Sequence, residues 1–478
     1  MGLPIFSGQQ LPEYHEGMLV VKVRSSSNIR STFAATASVN VLETQGMSAL
    51  STFERAGLIK SITPIARSIQ AQTPSISAGT MMAKLATSIN EISPENISSG
   101  VSIIELEHDR NVPELQLALA NDPNIEYVSR VAVRYLVSQP ESSAARIGIA
   151  AAARPASTMM WNLDKIQWQA AFALENVENA DNVRVAVLDT GIDRNHPDLQ
   201  GRVKSYVYEH PDLPITSSDR DIIGHGTHVA GTITAAIDNG IGINGICNCE
   251  LNVWKIFDDR PDFVSCGRGY VYYVDPVMYR RALLDCLDQN IDIINLSIGG
   301  GRFDPSERDL FNNLLANGTT IVAAMGNDRA NGSPTSYPAA YPGVIAVGAT
   351  SRDDTIASFS NSGNHITISA PGVAIWSTLP TYAGNSGFAA DCTGANPNLG
   401  RANERETNYD AWNGTSMATP HVTGAVALLI ANRGERLSPA DIKNQLIQTA
   451  DKVPAMGGNN FTADFGAGRL NLVRLLSE

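Results

Sequence analysis

Three short stretches carry residue types that could do chemistry together. The first, "VAVLDTGID" (Val185–Asp193), ends an apolar run on Asp189. Asp-Thr-Gly could be half of an aspartic dyad, but a dyad needs a second carboxylate to share its proton. The chain holds no second Asp-Thr-Gly or Asp-Ser-Gly, and enzymes that borrow one by dimerising are much shorter. Asp189 is left as the acid partner of another group or as an acidic turn. The second stretch, "GHGTHVAGT", sets His225 and His228 three apart at a helix start. They could ligate a metal, although the glutamate of H-E-x-x-H and a third ligand are missing. They could also be one solvent-facing and one packed ring, or one of them could be the base for a nucleophile. The third, "NGTSMATPHVTGAVALL" (Asn413–Leu429), puts Ser416 at the start of a long apolar helix. A serine there can cap orphan N–H groups, or be a nucleophile whose developing charge the same groups stabilise. It is not the G-x-S-x-G elbow, because Ala418 fills the fifth position.

In chain order the three read Asp189, His225, Ser416, the order of the subtilisin triad and of neither chymotrypsin nor the α/β-hydrolases. With "VAVLDTGIDRNHPDL", "GHGTHVAGT" and "GTSMATPHVTG", the chain from about Trp161 onward resembles the subtilisin-like serine proteases (subtilases). Its N-terminal module resembles the inhibitory propeptide of that family. The resemblance implies a self-processing zymogen in which Asp189 orients His225, His225 takes the proton of Ser416, and Ser416 attacks the peptide carbonyl. Asn327, in "VAAMGND", matches the family's oxyanion donor, beside the backbone N–H of Ser416. An extended peptide would add as a strand, its S1 cleft walled by Ser297, Ile298 and Gly299 and by Ala324, Met325 and Gly326. Ser336 would lie at the floor, and the edge strand for S2 to S4 would fall in "GYVYYV" (Gly269–Val274). No carboxylate among these residues would balance Lys or Arg in S1, and Met325 stands where alanine is common, which argues for a narrow S1. A structural calcium ion is implied at Asp198 and Asn239 with the carbonyls of Ile237, Ile241 and Ile243, all oxygen ligands. No catalytic cofactor is implied.

Composition agrees with an enzyme more readily than with a binder of nucleic acid or anionic membrane. Of 478 residues 43% are apolar, and the net charge is -13, whereas those partners attract a basic face. No apolar run reaches the roughly 18 residues that a membrane span needs. The N-terminal "MGLPIFSGQQLPEYHEG" lacks the basic and apolar regions of a signal peptide. It also lacks the Ser or Thr of a myristoylation site, having Phe6 there. Five cysteines, Cys247, Cys249, Cys266, Cys286 and Cys392, form no disulfide framework. A pair among Cys249, Cys266 and Cys286 is possible, with small buried thiols the preferred reading.

The elements that must hold these residues fall into two modules. Up to about residue 137, strands ("GMLVVKV", "GLIKSITPI", "VSIIELEH", "NIEYVSRVAVRYL") and helices (about Leu42 to Ala56, and "VPELQLALAND") spell a split βαβ unit of the ferredoxin-like kind. Two Ser/Ala-rich inserts, Ser25–Ser38 and Ser68–Asn96, read as surface loops. A small, polar stretch over residues 138–158 reads as a linker, exposed as processing segments are. Over 159–478, apolar strands such as "NVRVAVLD", "LNVWKIF", "IDIINLSI", "TTIVAAMG" and "GVIAVGAT" alternate with helices. That pattern predicts an α/β doubly wound, mostly parallel sheet, whose reactive groups gather beyond the strands' carboxyl ends. The insert Tyr382–Asp410 should lie near the rim of the site, restricting substrates, holding an ion or covering surface. Two other function classes remain open: a binding module that keeps the fold without turnover, and a metallohydrolase using His225 and His228.

Overall fold

The computed structural model describes residues 12–24, 45–66, 100–136, 139–140, 157–174, 180–209, 219–267, 269–394, 396–433 and 437–477. Both Ser/Ala-rich inserts and most of the linker lie outside them. Four N-terminal strands, β1 (Tyr14–Val23), β2 (Ile59–Pro64), β3 (Val101–Leu106) and β4 (Ile125–Ala132), pair antiparallel in the order β2-β3-β1-β4. This is the order a split βαβ unit produces. Strand alternation gives the sheet two apolar faces. Leu19, Val21, Ile104 and Leu106 pack on Leu50 of helix Gln45–Arg55 and on Leu115 and Leu119 of helix Val112–Ala120. Val20, Ile103 and Val131 turn the other way and meet Val277, so a helix of the larger module closes the second face.

The run to Leu136 was expected as one strand, but it breaks. Tyr14, where β1 begins, lies opposite Ala132, and the Val133 N–H still reaches the Glu13 carbonyl at 3.1 Å. Beyond it β5 (Tyr135–Leu136) leaves the unit altogether.

Among the described residues the central sheet has seven strands. They are β7 (Arg184–Asp189), β8 (Val203–Val207), β9 (Glu250–Lys255), β12 (Ile293–Leu296), β14 (Thr320–Ala324), β15 (Ile345–Thr350) and β16 (Ile368–Pro371), in the order β16-β15-β14-β12-β7-β9-β8. Every pairing is parallel. Val185, Val187, Ile293 and Val322 face one apolar cluster, built on helix Thr415–Ala431. Ala186, Leu188, Ile294 and Ala323 face the other, with helices Pro276–Asp288 and Pro305–Ala316. Burial on both faces explains the nearly unbroken apolar runs. Asp275 and Asp304 cap those two helices ahead of a proline at the first helical position. No helix among the described residues is long and apolar enough to cross a membrane.

The insert extends a smaller sheet in which β10 (Asp262–Ser265), β11 (Gly269–Val271), β18 (Asn385–Asp391) and β19 (Asn398–Glu404) follow in that order. The pairing of Tyr270 with Phe388 brings distant segments together, and Cys266 forms a disulfide with Cys392, 126 residues on. This corrects the pairing considered among Cys249, Cys266 and Cys286. Strand addition by an insert, not local spacing, selects the partner. Cys247, Cys249 and Cys286 are free and buried, as expected.

Two packed histidines give stability a pH dependence. Burial lowers His228 to a pKa of about 3 and His421 to about 4. Between those values and the ordinary 6.5, the unfolded chain binds protons that the folded chain refuses, so stability rises with pH. Their contribution is complete above about pH 6.5 and disappears as pH falls through about 4 and then 3. Urea unfolding of the Ser416→Ala variant should therefore show a midpoint that drops steadily from pH 7 to pH 4.5. A flat midpoint would contradict the burial of both rings.

Candidate active site

The strands deliver their ends to one place. Asp189 is the last residue of β7, Ser297 follows β12, and Asn327 lies just past β14. His225 and Ser416 come from the other direction, in the first turns of helices His225–Thr234 and Thr415–Ala431. Asp189, His225 and Ser416 are fully buried. Nδ1 of His225 donates to Asp189 Oδ1 at 2.7 Å, and the Thr190 N–H donates to the same oxygen at 2.7 Å. That fixes the neutral tautomer and leaves Nε2 as the basic atom, without a hydrogen-bond partner among the described residues.

Two glycines let the histidine helix pack this closely on its neighbours. A Cβ at Gly226 would collide with the Gly191 carbonyl, and one at Gly231 with Ser377 and Thr378. The helix start is held by Asp221, which the sequence reading passed over. Its carboxylate, fully buried, accepts from the N–H of Gly224 at 2.8 Å, the N–H and hydroxyl of Thr227 at 2.9 and 2.6 Å, and the Thr190 hydroxyl at 2.7 Å. Negative charge is favourable at a helix N-terminus. An acidic residue just before "GHGT" was the available signal.

Ser416 is positioned through a missing donor. Pro420 has no N–H, so the carbonyl of Ser416 lacks its helical partner. The Ser297 hydroxyl supplies one at 3.0 Å, while Ser416 Oγ donates to the Ser297 carbonyl at 2.8 Å. The serine hydroxyl thus rests on the strand and not on His225. Asn327 Oδ1 accepts from the N–H and the hydroxyl of Thr415, both at 3.0 Å. A backbone N–H must meet an oxygen, so Nδ2 is the amide atom left to donate elsewhere. The N–H of Ser416, in the first helical turn, has no intrahelical acceptor.

The cleft positions follow. Ala324 ends β14, Gly326 follows, and Gly326 stands next to Ser336, whose Cβ lies 3.3 Å from where a Cβ at Gly326 would be. Met325 is fully buried, in the cluster that also holds Ala323, Ile294, Ala346 and Ile298. β13 (Ile298–Gly299) pairs antiparallel with β5, Ile298 opposite Leu136 and Gly299 opposite Tyr135. Tyr135 also bridges Tyr273, within the expected edge segment. Just ahead of Ser416 in the chain, β20 (Asn408–Asn413), which pairs with β17 (Ile375–Leu379), also pairs with β6 (Gln139–Pro140).

His228 is no metal ligand. Its Nε2 lies 3.0 Å from the Ile375 carbonyl, and its ring stacks on Trp412. Among the described residues no three His, Cys, Asp or Glu side chains converge as a metal site. At the expected calcium loop, Asn239 Nδ2 donates to Asp198 Oδ1 at 2.8 Å and the Ile243 N–H to Oδ2 at 2.8 Å. Gly242 closes the loop so tightly on Asp198 that a Cβ would strike its carboxylate. The donor set, one carboxylate, one amide and backbone carbonyls, suits calcium in kind. An ion would replace the Asn239–Asp198 hydrogen bond.

The sequence profile of the subtilase family matches residues 180–468. Subtilisin E of Bacillus subtilis (strain 168) is 36% identical over 296 residues, 61% of this chain and 65% of its own. The major intracellular serine protease of the same strain is 34% identical over 295 residues, 59% of this chain and 80% of its own. The chain thus spans just under two thirds of the length of subtilisin E. Among solved structures, fervidolysin from Fervidobacterium pennivorans, described as a keratinolytic enzyme related to subtilisin, has a TM-score of 0.61 at 24% identity, covering 98% of this chain and 62% of its own. That likeness is one of fold. With the family profile spanning more than half of its length and its three motifs meeting at the ends of one parallel sheet, the chain belongs to the subtilase family.

Proposed function

We propose that this chain is a serine endopeptidase, made as a precursor that cuts itself and is held inactive by its own N-terminal unit. The observation that carries the reading is that the chain pairs with both sides of its own cleft. Leu136 lies opposite Ile298, next to the Ser297 carbonyl that accepts from the Ser416 hydroxyl, and Gln139 lies opposite Asn413, just ahead of Ser416 in the chain. Two residues, Val137 and Ser138, separate these pairings in the sequence, and in this reading the cut falls at the bond between them. Added strands are how extended peptides bind such a cleft. The N-terminal sheet, resting on helix Pro276–Asp288, then acts as chaperone and inhibitor.

The chemistry starts when Ser416 turns its hydroxyl from the Ser297 carbonyl to His225 Nε2. Its oxygen attacks the carbonyl carbon while the proton passes to Nε2. Asp189 stabilises the imidazolium and stays ionised. The oxyanion accepts from the Ser416 N–H and Asn327 Nδ2. His225 returns the proton to the leaving amine, and water repeats the sequence on the acyl-enzyme. Calcium, held by Asp198, Asn239 and the carbonyls of Ile237, Ile241 and Ile243, would tie down the surface loop and take no part in these steps.

Ser416→Ala should stay full length and lose peptide hydrolysis by about 10⁶, the size of the loss in subtilisin itself. The wild-type chain should acquire an N-terminus at Ser138. A variant that keeps a hundredth of the activity, or an active wild type that stays uncut, would overturn the assignment. Asn327→Ala should lower kcat by roughly 10²–10³ with KM nearly unchanged; a raised KM with kcat preserved would make it a substrate-binding group. Added calcium should raise the melting temperature of the Ser416→Ala chain, and the further change Asp198→Asn should abolish that rise. An equal rise in both chains would move the ion elsewhere.

A further inference from the structure

Just ahead of β5, Arg134 is one of the most deeply buried cations among the described residues, with 3% of its side chain exposed. Its Nε lies 3.2 Å from Glu307 Oε1, and its Nη2 bonds Oε2 of the same carboxylate. Glu307 is just as buried, at 2%. Each of its oxygens also accepts from a tyrosine, Tyr279 on Oε1 and Tyr341 on Oε2, both at 2.7 Å. Burial, and then the charge of Glu307, push both tyrosines well above their ordinary range, so they remain donors. The carboxylate is completed by two hydroxyls and one guanidinium.

Among the described residues the other arginine lining the cavity at Glu307 is Arg280. The neighbouring Arg280 is fully employed: Nη2 pairs with Asp304 at 2.5 Å, Nε with the Ser306 hydroxyl at 2.9 Å, and Nη1 with the Pro276 carbonyl at 3.0 Å. Arg134 is also part of the added strand, because its carbonyl accepts from the Val274 N–H at 3.0 Å. Tyr135 and Leu136 follow it onto Gly299 and Ile298. Counting back from the Val137–Ser138 bond, Arg134 is the fourth residue. When the N-terminal unit leaves, Glu307 is left as a buried carboxylate with its cation gone, which is costly.

We propose that Glu307, with Tyr279 and Tyr341, forms a specificity pocket for arginine at the fourth position before the cleaved bond, so that the substrates are polypeptides carrying Arg there. This rests on the endopeptidase reading and its register. The two contacts to one carboxylate match the planar fork of arginine, and the point charge of lysine makes them less well.

The test uses the matured wild-type enzyme and four quenched peptides that differ at that position alone, carrying Arg, Lys, Leu or Glu. kcat/KM for Arg should exceed that for Leu by at least about 100-fold, the order expected when a buried charge loses its partner, with Lys between them and Glu last. Within the full chain, Arg134→Leu and Glu307→Leu should each slow the appearance of the Ser138 N-terminus. The double variant should recover much of the rate, because an apolar residue then fills an apolar pocket. Hydrolysis without preference for Arg, or a double variant no faster than the slower single one, would overturn the pocket while leaving the endopeptidase reading intact. Absence of hydrolysis of every peptide, together with absence of labelling of Ser416 by a serine-directed phosphonate, would overturn both.

Discussion

The site depends on a long buried helix that must end its N-terminus against the carboxyl edge of a parallel sheet. Thr415 to Leu429 are all buried, so the helix can use neither solvent nor a polar face to complete its first turn. Every orphan group there has to be met by the strands or kept for the substrate. Thr415 gives its N–H to Asn327, and the carbonyl that Pro420 releases goes to Ser297. The Ser416 N–H is the donor left over. An oxyanion site of this kind is what remains of a helix end when a sheet has satisfied the rest.

The same economy governs the second helix. Asp221 takes its first-turn donors, and Gly226 and Gly231 remove the side chains that would hold it off β7 and β17. The 2.7 Å contact between His225 and Asp189 is therefore set by backbone approach, with the ring only its last link. The glycines of "GHGTHVAGT" are as much a part of the motif as its histidines.

What could be read from residue order was whatever is local. The apolar runs gave the parallel strands, and the three motifs gave Asp189, His225 and Ser416 because each carries its own strand end or helix start. Asn327 was legible for the same reason. Other features depend on contacts between distant segments and leave no local trace. Cys266 meets Cys392 only because the insert adds two strands beyond β11. β5 leaves its sheet for partners more than 130 residues away, Val274 and Tyr273 on one side and β13 on the other. Glu307 reads as one more acidic residue in the first turn of a helix, and only the tertiary fold encloses it with Arg134.

Backbone pairing explains why inhibition and recognition share one geometry. An added strand is held by N–H and C=O groups that every peptide has, so β5 can occupy the cleft without any special side chain. Selectivity then has to come from pockets beside the strand. Here the pocket is built on the two helices at the N-terminal unit's side of the molecule. Asp304 caps helix Pro305–Ala316 and also binds Arg280 of helix Pro276–Asp288, locking the pair into one body. Glu307 projects from one of them and Tyr279 from the other, and Val277 supports the N-terminal sheet. A charge lost in the pocket and a sheet lifted from the helices therefore act on the same rigid element. Docking of the N-terminal unit and seating of Arg134 should strengthen each other, since each is easier once the other has fixed the chain between them.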